Sequence, residues 1–135
     1  MSERYNIKCL VCGKEQDGSI QTYEYENNVE IVLRADDIFI TKLADNFFEA
    51  LIEVRKELEK KEIKLLCKGC CRNVYPSAML LGMGSGRKAY SLVIGQQAKL
   101  SSLVDIFELC PKDEYASIDE QYAFYIKWCD SIVNK

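Results

Sequence analysis

Seven cysteines and no histidine set the chemistry open to this chain. Cys9 and Cys12 bracket Leu-Val and precede Gly13, while Cys67 and Cys70 bracket Lys-Gly with Cys71 directly behind. Thiolates are soft ligands, and a two-residue spacer lets both sulfurs of a pair face one tetrahedral zinc ion. Cys9, Cys12, Cys67 and Cys70 together would close a structural zinc site with no coordination position left for chemistry. Against this, 54 residues separate Cys12 from Cys67, far beyond compact finger spacing. The competing reading treats cysteine as a small buried hydrophobe, which Cys71, Cys110 and Cys129 require in any case. It is the favoured one, so the expectation is no cofactor, with zinc as the alternative.

Catalytic constellations are harder to assemble. The absence of histidine removes the commonest general base and the usual activating neighbour of a nucleophilic cysteine. A thioredoxin-type site needs its Cys-x-x-Cys between a strand and a helix N-terminus. Cys12 leads into a polar stretch, and Pro76 interrupts any helix after Cys70. The segment Leu81-Gly-Met-Gly-Ser-Gly-Arg-Lys88 could let backbone approach an anion, with Arg87 and Lys88 as cations. It lacks the interval and the Lys-Ser/Thr ending of a Walker loop and runs into a strand pattern, so a turn is the better account. The carboxylates Glu24, Glu26, Glu30, Asp36 and Asp37 read as a solvated face and a turn. No catalytic residue is expected, and the protein is read as not an enzyme.

Composition narrows the class. A chain of 135 residues with 48% hydrophobic side chains can bury a core of its own as one domain, residues 1–135. A formal charge of −3 argues against a protein that coats nucleic acid or an anionic membrane. Residues 1–8 are polar with no apolar segment behind them, and no run is long enough to span a bilayer. The expectation is a cytoplasmic protein whose thiols stay reduced.

These groups must be positioned by a mixture of strands and helices. Residues 5–11 alternate as a half-buried strand that Cys12-Gly13 ends, and residues 20–26 and 29–34 are β-prone runs around Asn27-Asn28, a hairpin turn. Leu43, Phe47, Leu51, Val54 and Leu58 form one apolar stripe, which predicts a helix over 41–61 with Thr41 as its N-cap. Residues 63–66 read as a short strand delivering Cys67, and 89–94 and 103–109 as further strands. Ser117-Ile-Asp-Glu120 has the form of a capping box. It opens a last helix whose buried face is predicted to be Tyr122, Tyr125, Ile126, Cys129, Ile132 and Val133. The pattern predicts α+β: a mixed, mainly antiparallel sheet with one long central helix and a C-terminal helix.

Within residues 41–107, the segments Thr41-Lys-Leu-Ala-Asp-Asn-Phe-Phe-Glu-Ala-Leu, Leu65-Leu-Cys-Lys-Gly, Arg72-Asn-Val-Tyr-Pro-Ser-Ala-Met79, Gly86-Arg-Lys-Ala-Tyr90 and Ser102-Leu-Val-Asp-Ile-Phe107 carry a resemblance. Together they resemble small bacterial cytosolic proteins similar to the immunity proteins of interbacterial toxin loci, including contact-dependent growth inhibition systems. Cys9-Cys12 lies outside the resemblance, and Cys70 and Cys71 depart from it. It implies a non-catalytic protein that binds and neutralises a cognate toxin domain. An acidic surface suits a basic toxin, and Glu24, Glu26, Asp36 and Asp37 are the candidate contact residues on charge. The reading from another class is a zinc-stapled module contacting nucleic acid or a transcription-related protein.

Overall fold

The computed structural model describes residues 2–83 and 85–133. Four strands, β1 (Ser2–Val11), β2 (Lys14–Glu24), β3 (Val29–Ala35) and β4 (Ile38–Ala44), form an antiparallel meander. A short strand β5 (Ile63–Leu65) pairs antiparallel with the far side of β1, giving the order β4-β3-β2-β1-β5. The helix α1 (Phe47–Lys60) links β4 to β5 and packs against β3, β4 and β5. The architecture is α+β, with a mainly antiparallel sheet around a central helix, as the pattern predicts.

A second antiparallel sheet has three strands, β6 (Val74–Tyr75), β7 (Lys88–Ser91) and β8 (Leu103–Asp105), in that order. A short helix α2 (Ala78–Met83) lies between β6 and β7, and α3 (Ile118–Val133) ends the described chain. Among the described residues, no helix is long and apolar enough to cross a membrane.

Strands β7 and β8 stop at Ser91 and Asp105, short of the expected 94 and 109, and three larger differences accompany this. The polar residues 14–19 are strand, because β2 pairs with β1 from Val11↔Lys14 outward, leaving Cys12-Gly13 as a two-residue turn. Both turn residues take positive φ, 52° at Cys12 and 79° at Gly13, which matches the twist of a tight hairpin. Thr41 is not the N-cap of α1; it pairs with Val32 inside β4, and Asn46 caps the helix by accepting the Glu49 amide at 2.9 Å. Leu43 fits the helical period by coincidence of spacing, but lies exposed on a strand whose pairing with β3 overrides the local pattern.

The last helix shows the third difference. Its capping box forms as predicted, Glu120 accepting the Ser117 amide at 2.9 Å and Ser117 accepting the Glu120 amide at 3.1 Å. Its inward face is rotated by about one residue from the expected one. Gln121 and Trp128 are buried with Tyr125 half-buried between them, whereas Tyr122, Ile126 and Val133 face outward at 53, 41 and 78% exposure. Cys129 is half-buried at the margin.

Candidate functional site

The groups with unusual electrostatics meet where α1, α3 and residues 67–71 converge. Arg55 and Gln121 are each only 1% exposed. Arg55 follows the apolar period of α1, four residues after Leu51 and three before Leu58, so the helix must turn its guanidinium inward. Its Nη1 donates to Gln121 Oε1 at 2.7 Å and to Gly69 O at 3.3 Å, and its Nη2 donates to Ala116 O at 2.8 Å. Gln121 Nε2 donates in turn to the carbonyls of Gly69, Cys71 and Val74 at 2.8–2.9 Å. Two N–H groups serve three acceptors, so one of these bonds is shared. No carboxylate of the described residues forms an ion pair with Arg55, and its Nε has no partner. The charge is held by carbonyl dipoles.

Four thiols lie beside this node as two pairs. Cys67 precedes and Cys70 closes the 3₁₀ turn Lys68–Cys70, and their sulfurs are 3.7 Å apart. The hydrogen bond to Cys70, reinforced by burial, raises the Cys67 thiol well above its ordinary value. Burial opposes charge on Cys70, yet the hydrogen bond from Cys67 and the Arg55 guanidinium bring that thiol down. Cys71 and Cys110 form the second pair at 2.7 Å, and Cys110 also bonds Pro111 O at 3.1 Å. Here the contact between the two sulfurs lowers the Cys71 thiol, and the same contact together with burial raises Cys110. Two separate antiparallel contacts position these groups, residues 66–69 against 106–110 and residues 70–72 against 114–116. Cys67 bridges Leu109, Cys71 bridges Tyr115, and the Cys110 amide donates to Leu66 O at 3.1 Å.

The four sequence-derived ligand candidates do not gather. Cys9 is buried on β1 opposite Leu65, and burial pushes its thiol up to about 11. Cys12 is exposed in the β1–β2 turn. Among the described residues, no three His, Cys, Asp or Glu side chains are placed to hold a metal ion. The physical reason lies in β1: Cys9 sits inward in the strand, and Cys12 sits in the turn beyond its end.

The glycine loop is also committed internally. The Phe47 amide at the start of α1 donates to Ser85 O at 2.6 Å, taking a helix-terminal N–H that an anion would need. Gly86 has φ 77° and packs so tightly that a Cβ there would sit 2.9 Å from Asn46 Oδ1. Arg87 lies over the Phe47 ring at 4.4 Å, donates to Tyr5 Oη at 2.7 Å and sits 3.5 Å from Glu24. Gly84 lies outside the described residues.

The acidic candidates fall into two groups. Glu24 and Glu26 lie at the β2–β3 end, and Asp36 and Asp37 form the β3–β4 turn. The seven residues of β3 hold these ends roughly 20 Å apart. They do not make one patch, and Glu24 is engaged by Arg87 and by Ser85 Oγ at 2.9 Å.

A different acidic face is present on α3. Asp119, Tyr122, Ile126, Asp130 and Val133 are all exposed and follow helical spacing along one side. Sequence reasoning missed this face because it assigned the apolar residues to the core. It also missed Arg55 and Gln121, although both stand at positions whose period marks them as buried. Compared with known proteins, the chain matches no family model and no curated protein sequence.

Proposed function

We propose that this protein is a non-catalytic binding protein whose partner is a basic protein domain, and that it neutralises that domain in the manner of a toxin-specific immunity protein. The observation that carries the reading is the outward face of α3. Three exposed apolar side chains, Tyr122, Ile126 and Val133, are interleaved there with the carboxylates Asp119 and Asp130. A tyrosine and aliphatic groups can fill apolar recesses of a partner, while carboxylates select a positive rim around them. The helix is rigidly backed: Tyr125 stacks on Tyr75 at 4.1 Å, and Trp128 Nε1 donates to Gln96 O at 2.9 Å. Preorganised faces lose less entropy on association.

The reactive groups support the same reading by their placement. Arg55, Cys67 and Cys70 are sealed in the interior, where substrate does not reach them. Glu59 and Glu120, which border the cleft of about 520 Å³ beside Tyr115, are engaged in capping α3, Glu59 accepting the Ile118 amide at 2.8 Å.

Co-expression with the product of the adjacent gene tests the proposal. A stable complex that suppresses that product's toxicity is the expected result. An adjacent product without toxic activity, or one that fails to bind, overturns it.

A further inference from the structure

We propose that Cys71 and Cys110 are a dithiol modification site that reacts with low-molecular-weight disulfides and closes into an intramolecular disulfide. This goes beyond the binding role and rests on a different part of the molecule. The sulfurs are 2.7 Å apart, so roughly 0.6 Å of approach brings them to the ~2.05 Å of a covalent bond. The two backbones are already clamped in register, by the Cys71–Tyr115 bridge on one side and by the Cys110 amide to Leu66 O on the other. Both segments that carry the pair are thus anchored by backbone hydrogen bonds.

Access separates this pair from its neighbour. Cys110 lines an open cleft of about 280 Å³ with Lys8, Glu15, Leu66, Pro111 and Lys112. Cys71 is fully buried behind it, as are Cys67 and Cys70. A small disulfide entering the cleft meets one sulfur only. The contact with Cys71 and burial hold the Cys110 thiol up, so the exchange quickens with rising pH as its thiolate forms. That thiolate attacks one sulfur of the reagent, and the departing half takes up the released proton and leaves as a thiol. The Cys71 thiolate then attacks Cys110 Sγ in the mixed disulfide and expels the second half, which takes the Cys71 proton. Two protein thiols lose two electrons and two protons, and one reagent disulfide becomes two thiols.

The test uses the full chain with Cys12→Ser and Cys129→Ser, which removes the other thiols not fully enclosed. This protein is incubated with 2-hydroxyethyl disulfide, remaining thiols are alkylated, and a non-reduced digest is mapped by mass spectrometry. The expected product has lost two hydrogens and two alkylation sites and yields a Cys71–Cys110 linked peptide. Thermal unfolding should move upward by on the order of 10 °C, reversed by dithiothreitol, because about 40 residues are closed into a loop. In the same background Cys71→Ala should stop at one reagent half on Cys110, and Cys110→Ala should not react. A Cys67–Cys70 link, an unmodified pair in the folded parent, or equal reaction of Cys110→Ala each overturns the proposal. The parent digest answers the question even where a variant folds poorly.

Discussion

Arg55 Nη1 donates a 2.7 Å hydrogen bond to Gln121 Oε1, joining the two long helices across the interior without a carboxylate between them. A buried guanidinium held only by neutral acceptors depends on every one of them, because each lost bond leaves a desolvated charge less compensated. Arg55→Met should destabilise by about 3 kcal/mol through the orphaned oxygens of Gln121 and Ala116, and Gln121→Leu by a similar amount. Their double variant should cost less than the sum, with a coupling of roughly 1–2 kcal/mol. Urea unfolding of the four proteins measures the cycle, and strict additivity refutes the linkage.

Gly69 supplies a carbonyl to both members of that pair, and its own place is narrow. A methyl group there would meet Leu51 Cδ2 and would stand 3.0 Å from Ile106 Cβ. Gly69→Ala should therefore destabilise by about 1–3 kcal/mol as an overpacked core position. An unchanged denaturation midpoint would show that the turn can shift away.

Stability should be sensitive to alkali. Burial raises Cys9 from 9.0 to about 11 and, as the leading cause in each, raises Tyr5 and Tyr115 from 10.0 to about 12. A group whose folded pKa lies above its unfolded one favours the fold below the unfolded value and loses that contribution as pH climbs through the folded value. Unfolding free energy should thus decline between about pH 9 and 12, with Cys9 accounting for on the order of 2 kcal/mol. Cys9→Ala should flatten the lower part of this decline. Flat stability from pH 8 to 11 in the parent would contradict the assignment.

The binding face on α3 can be separated from folding. Tyr122→Ala and Ile126→Asp change exposed side chains, so each should alter stability by no more than about 0.5 kcal/mol. Each should weaken partner binding at least tenfold, which corresponds to about 1.4 kcal/mol. Calorimetric titration against the purified partner reads this out. Full affinity in both variants would move the interface elsewhere.

Several elements were legible in the chain because their signals are local. The capping box at Ser117, the Asn27-Asn28 turn and the apolar period of residues 47–58 all act within one or two turns of backbone. Thr41 misled because strand pairing with Val32, nine residues away, outweighs a good capping residue. Cys9, Cys12, Cys67 and Cys70 are not brought to one point for a related reason: spacing sets two sulfurs of a pair near one another, but only the fold decides whether two pairs meet.

By itself the sequence determined the α+β class, the acidic balance, the lack of histidine chemistry and most element positions, since these follow from composition and short-range periodicity. The tertiary structure alone decided that Cys71 faces Cys110, that Arg55 finds Gln121 sixty-six residues later, and that α3 turns Tyr122 and Ile126 outward. Those outcomes depend on contacts between distant segments. A one-residue rotation of a helix that is apolar on most sides changes its exposed face while leaving its local pattern almost unaltered.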